Sequence, residues 1–107
     1  MKKFVIAALM VPVMAHAEFM NGNDLMNKMQ SDEFVPRAVA LGYVQGIVDA
    51  FSRTVVCVPE HVTAGQVRDL VKSFLETNPA IRHFSADSLA LEAISRVWGC
   101  KKKGTKL

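Results

Sequence analysis

Two cysteines, Cys57 and Cys100, are the only ones in the chain, and they come after an opening that reads as an export signal. Met1-Lys2-Lys3 is a short basic start, Phe4 to Met14 is apolar apart from Pro12, and Ala15-His16-Ala17 places small residues at −3 and −1 of a cleavage site. The predicted cut lies between Ala17 and Glu18. The run from Phe4 to Ala17, about 14 residues, is short of the ~18 or more that span a bilayer. Residues 1–17 therefore read as a signal peptide, with no transmembrane anchor, and the mature chain is expected in the periplasm. Glu18 instead of Cys after the cut argues against a lipoprotein. In an oxidising compartment two thiols far apart in sequence predict one structural disulfide, Cys57–Cys100.

Beyond the signal lies one modest domain, residues 18–100, with a basic tail over 101–107 expected to be disordered. Of the 13 lysines and arginines, Lys2, Lys3, Lys101, Lys102, Lys103 and Lys106 lie outside that body, while all ten carboxylates lie inside it. The formal +3 charge is thus no sign of a nucleic-acid binder.

Apolar residues recur at helical spacing nearly everywhere. A short first helix carries Leu25, Met26 and Met29, with Asn23 as its cap. A second starts near Pro36 and runs to Phe51. Its apolar arc is wide (Val39, Tyr43, Ile47 and Phe51, flanked by Ala40, Val44 and Val48), so it is expected to be the most buried helix. Gly42 and Gly46 sit one turn apart on it. Each glycine costs about 1 kcal/mol of helix propensity against alanine, so they predict a close approach: tight packing within the chain or a homodimer seam. Thr54 to Val58 has β-like composition but no evident partner strand, and reads as loop.

The third helix has the clearest start. Thr63 and Gln66 make a capping box, Val62 and Val67 a hydrophobic staple, and Asn78-Pro79 the stop. The fourth repeats the pattern, with Ser85 as cap, Asp87 at the positive end, Phe84 stapled to Leu89, and Gly99 as terminator. The expected fold is all-α: a disulfide-stapled bundle of about four helices.

No catalytic constellation emerges, and the chain does not read as an enzyme. His83, Ser85 and Asp87 hold the residue types of acyl transfer, but Ser85 and Asp87 are accounted for by the helix start. Cys57, His61, His83 and Cys100 could in principle bind zinc, yet Cys57 and His61 straddle Pro59 in a loop and the second spacing is no compact chelating pair. No metal or cofactor is predicted, and a redox pair would need a Cys-x-x-Cys spacing that is absent.

Gly42-Tyr43-Val44-Gln45-Gly46-Ile47-Val48-Asp49-Ala50, then Cys57-Val58-Pro59-Glu60, Val62-Thr63-Ala64-Gly65-Gln66, Asn78-Pro79, Arg82-His83, Ala86 and Trp98-Gly99-Cys100 succeed one another in an order and spacing that resembles the Rap/Tai immunity family of type VI secretion systems. The resemblance covers roughly Asp24 to Cys100. The family often ends its last helix in Phe-Pro-Cys where this chain has Trp98-Gly99-Cys100, and the lysine tail is a further departure. The resemblance implies a small, helical, periplasmic, disulfide-bonded protein, in a family whose members are often homodimers. Its partner would be a peptidoglycan amidase toxin delivered by neighbouring cells, inhibited by occlusion of its active site. Loops Pro59–Val62 and Asn78–Phe84 are the candidate contact regions, with Glu60, His61, Arg82 and His83 as their polar residues. The competing readings are a family member with another envelope or phage-derived role, and a small periplasmic stress chaperone.

Overall fold

The computed structural model describes residues 19–101. The signal segment, its cut between Ala17 and Glu18, and the tail beyond Lys101 lie outside the described residues. Within them the chain forms α1 (Gly22–Met29), α2 (Phe34–Phe51), α3 (Ala64–Thr77) and α4 (Ala86–Trp98), with a 3-10 turn at Pro79–Ile81. No strand is present among the described residues, and each helix touches the other three, so the all-α bundle is the fold.

The cap of α1 is Asn21, not Asn23. Asn21 Oδ1 accepts from Asp24 N at 2.9 Å, and Asp24 Oδ2 accepts from Asn21 N at 3.1 Å. Only Asn21 has an acidic residue three positions on, so only it can make the reciprocal box. The same residues tie α1 to the far end of the chain. Gly22 N donates to Phe84 O and Asn23 N to Arg82 O, each at 3.0 Å, and Ala86 N donates to Met20 O at 2.9 Å. Gly22 is required there, because a Cβ would lie 2.6 Å from Leu89 Cδ1 and 2.7 Å from Arg82 O.

α2 begins at Phe34, two residues before Pro36, whose missing N–H falls in the first turn and costs no helical bond. It is not the most buried helix. Only Ala40 and Val44 are fully enclosed, whereas α4 encloses Ala86, Leu89, Ala90, Ala93 and Ile94. Helix length and side-chain size explain the reversal. The three alanines of α4 let its neighbours close around it, whereas the other helices cover only one side of the 18-residue α2.

α3 obeys its sequence signals. Thr63 Oγ1 accepts from Gln66 N at 3.1 Å, and Gln66 Oε1 from Thr63 N at 2.7 Å. Val67, Val71 and Leu75 point inward. Asn78 ends the helix, its Nδ2 donating to Phe74 O at 2.8 Å.

α4 departs from expectation at its start. Ser85 occupies the cap position but makes no cap bond; its Oγ donates to Ser88 Oγ at 2.9 Å. Phe84 is 52% exposed and forms no staple. The contact that would have held it is taken by α1, which covers Leu89.

The disulfide joins Cys57 and Cys100, with Cα atoms 5.0 Å apart. Around it Cys57 N donates to Trp98 O at 2.7 Å and Cys100 N to Val55 O at 3.0 Å. Val56, between these bonds, is wholly buried although it lies in a loop.

Candidate partner-binding surface

The two candidate contact loops leave opposite ends of α3. Glu60 and His61 precede its first turn, Arg82 and His83 come after its last, and the helix between them has 14 residues, about 21 Å of axial rise. The structure therefore does not bring the four residues into one patch. It presents two ends, one at the disulfide and one where α1 meets the start of α4.

At the disulfide end Glu60 and His61 are both exposed, in the turn that Val62 N closes by donating to Pro59 O at 3.1 Å. Beside this turn, between α2 and the entry to α3, lies a hollow of about 430 Å³. Val58, Val62, Ala64 and Val67 line one side, and Gly42, Gly46 and Val48 the other, with Gln45 and Asp49 as polar residues. Gly42 and Gly46 do not serve helix packing inside the chain. A Cβ at either would meet no heavy atom within 4 Å among the described residues. The first half of the expectation for these glycines is overturned, because the entry to α3 stands off from them across this hollow.

At the other end Arg82 is not a free surface cation. It is half-buried, its Nη1 lies 3.0 Å from Met26 Sδ as donor, and its Nε is enclosed with no partner among the described residues. Its backbone carbonyl also receives Asn23 N. Arg82 thus positions α1 against the loop rather than reaching outward. His83 is exposed and lies against Phe84, ring centroids 4.3 Å apart at 33°. Phe84 is the residue that sequence reasoning missed. Its staple pattern suggested burial, and only tertiary packing shows it facing solvent on a backbone held by Gly22 N and, through Phe84 N, by Ile81 O at 3.0 Å. Phe19 is also exposed, at 86%.

Ser85 and Asp87 are engaged locally at the start of α4. Asp87 Oδ1 accepts from Ser88 N at 2.8 Å and Ser85 Oγ is engaged with Ser88, so neither serves His83. Both thiols are consumed in the disulfide, and no group of three or more His, Cys, Asp or Glu side chains is placed to hold a metal among the described residues. No charged side chain is buried among the described residues. Tyr43 of α2 has its phenol pushed above the usual value, by burial and secondarily by the Asp87 carboxylate. No helix among the described residues is long and apolar enough to cross a membrane.

Among the described residues the domain is a small helical bundle with one staple, an apolar interior, and aromatic and charged side chains exposed on its loops. The family model of the Rap1a immunity proteins matches residues 21–100, and the chain belongs to that family. Membership carries an immunity role exercised on a toxin. No curated protein matches the chain.

Proposed function

We propose that this chain is a periplasmic immunity protein that binds and inhibits a peptidoglycan amidase delivered by a type VI secretion system. The observation that carries the reading is the span of the family match, residues 21–100, which takes in every helix among the described residues and both cysteines. The disulfide fits an oxidising compartment, and the signal-like opening fits export to the periplasm, where such an amidase meets its substrate. The protein acts by occlusion, with no chemistry of its own.

The exposed pair His83–Phe84 is the favoured contact. Aromatic side chains on a pre-ordered backbone are the usual anchors of tight interfaces, and this loop is pinned to α1 by backbone bonds. Glu60 and His61 form a second, separate candidate edge. Arg82 supports the first from behind.

Co-expression tests the reading directly. Cells exporting a type VI peptidoglycan amidase encoded by the same genome to the periplasm should lyse, and co-export of this chain should prevent it for its cognate amidase. Continued lysis with folded, disulfide-bonded protein present would refute the function. Phe84→Ala should weaken inhibition of the purified amidase by at least about 30-fold while leaving thermal unfolding unchanged, as expected of an exposed interface anchor.

A further inference from the structure

The domain holds more carboxylates than lysines and arginines, yet its charges are not evenly mixed. Arg37, Arg68 and Lys72 line one cleft of about 240 Å³, where the start of α2 and α3 meet beside the end of α1. Met29 is the apolar residue of its lining and Asp69 the carboxylate.

Asp69 does not neutralise this cleft. Its Oδ1 accepts from Arg68 Nε at 3.0 Å and lies 3.0 Å from Arg68 Nη2, so it is matched to one guanidinium. Arg37 and Lys72 enter no ion pair among the described residues. Arg68 and Lys72 stand four residues apart on α3, the spacing at which like charges on a helix repel. Arg37 adds a third positive charge from α2. The bundle gains nothing from this convergence by itself, whereas an anion seated among the three offsets the repulsion.

The cations are also held in place. Arg37 Nη1 donates to Ser31 O at 3.0 Å, Arg68 is fixed by Asp69, and both Arg68 and Lys72 are half-buried. Groups ordered before a ligand arrives bind it at lower entropic cost. A guanidinium fork matches the oxygens of a phosphate, and an ammonium serves it as a point charge. The cleft is smaller than the ~300–1,000 Å³ of pockets for drug-sized ligands, so it takes one small group. Arg37 and Arg68 also border a second hollow, of about 310 Å³, lined in part by Phe34 and Leu41. An oxyanion carried on an apolar body therefore has room beside the cleft.

We propose that Arg37, Arg68 and Lys72 form a binding site for a phosphate-type oxyanion. The group is either free phosphate or the phosphate of an anionic lipid headgroup, and the site contacts it through the same three cations. The inference does not depend on which toxin the protein inhibits.

Titration of the oxidised chain with inorganic phosphate at low ionic strength, followed by amide and arginine Nε shifts in NMR, is the first arm. Saturable shifts should centre on residues 29, 37, 68 and 72, with a Kd of about 1 mM. Lys72→Gln should weaken binding about tenfold and Lys72→Arg should keep it, while Arg37→Gln/Lys72→Gln should abolish it. The melting temperature of Lys72→Gln should not fall, because the substitution removes a like-charge neighbour of Arg68. The second arm is cosedimentation with vesicles of phosphatidylglycerol and phosphatidylcholine, against phosphatidylcholine alone. Binding to the anionic vesicles that the double variant loses supports the site with a lipid headgroup as its source; phosphate binding without vesicle binding supports it with a free group. No saturable shift up to about 50 mM phosphate together with no vesicle binding would overturn the proposal. So would any binding that Arg37→Gln/Lys72→Gln retains, since that attraction would belong to other cations, such as the lysines of the tail.

Discussion

Replacing both cysteines, as Cys57→Ala/Cys100→Ala, removes the single covalent link in the bundle. The bond separates its residues by 43 positions, so it closes a loop of about 44 residues in the unfolded chain. Chain entropy for that loop is worth about 4 kcal/mol at 25 °C. A domain of this size has a net stability of ~5–15 kcal/mol, so the variant should lose between about a quarter and four-fifths of it. The native side of the balance is held nearly constant. Cys57 N to Trp98 O and Cys100 N to Val55 O are backbone bonds that the substitutions leave in place, and Val56 stays buried between them. Urea titration monitored by circular dichroism is the assay. With a slope of ~1 kcal/mol/M for a small domain, the midpoint should fall by several molar, and the reduced wild type should match the double variant. A loss below about 1 kcal/mol would refute the loop-entropy argument, and would mean that the unlinked chain keeps its ends together without the bond.

Gly22→Ala should destabilise the fold by about 1–3 kcal/mol, because the added methyl meets Leu89 and the Arg82 carbonyl; chemical denaturation measures it, and a neutral result would mean that α1 is free to shift. Thr63→Ala should cost about 1 kcal/mol through loss of the α3 capping box, whereas Ser85→Ala should stay within about 0.5 kcal/mol, since Ser85 makes no cap bond. Equal losses in the two variants would contradict the cap geometry. Tyr43 gives a pH signature. Its folded pKa lies above the unfolded 10.0, so its contribution is complete below pH 10 and is lost as pH rises through the folded value. Unfolding midpoints should fall above pH 10 in the wild type and fall less steeply in Tyr43→Phe.

Legibility from sequence tracked the range of the interaction. The α3 cap was readable because Thr63 and Gln66 are three residues apart and decide the matter between themselves. The α1 cap was misplaced by two residues, since Asn21 and Asn23 are both acceptable caps and only the spacing to Asp24 distinguishes them. Phe84 carried a staple pattern identical in form to that of Val62, yet it is exposed because α1 occupies the flank of Leu89. Arg82 read as a loop cation and is a support for Met26.

By itself the sequence determined the helical class, the approximate helix limits and the pairing of the only two thiols. Each of these rests on local periodicity, caps or a count that leaves one choice. Tertiary structure alone decided which side of each helix is covered. α2 carries apolar residues all round, so its pattern could not say which arc faces the core, and burial depended on where the other helices found room. The same packing separated Glu60 and His61 from Arg82 and His83 by the length of α3. It also left Gly42 and Gly46 open, because the entry to α3 stands off from them across a hollow.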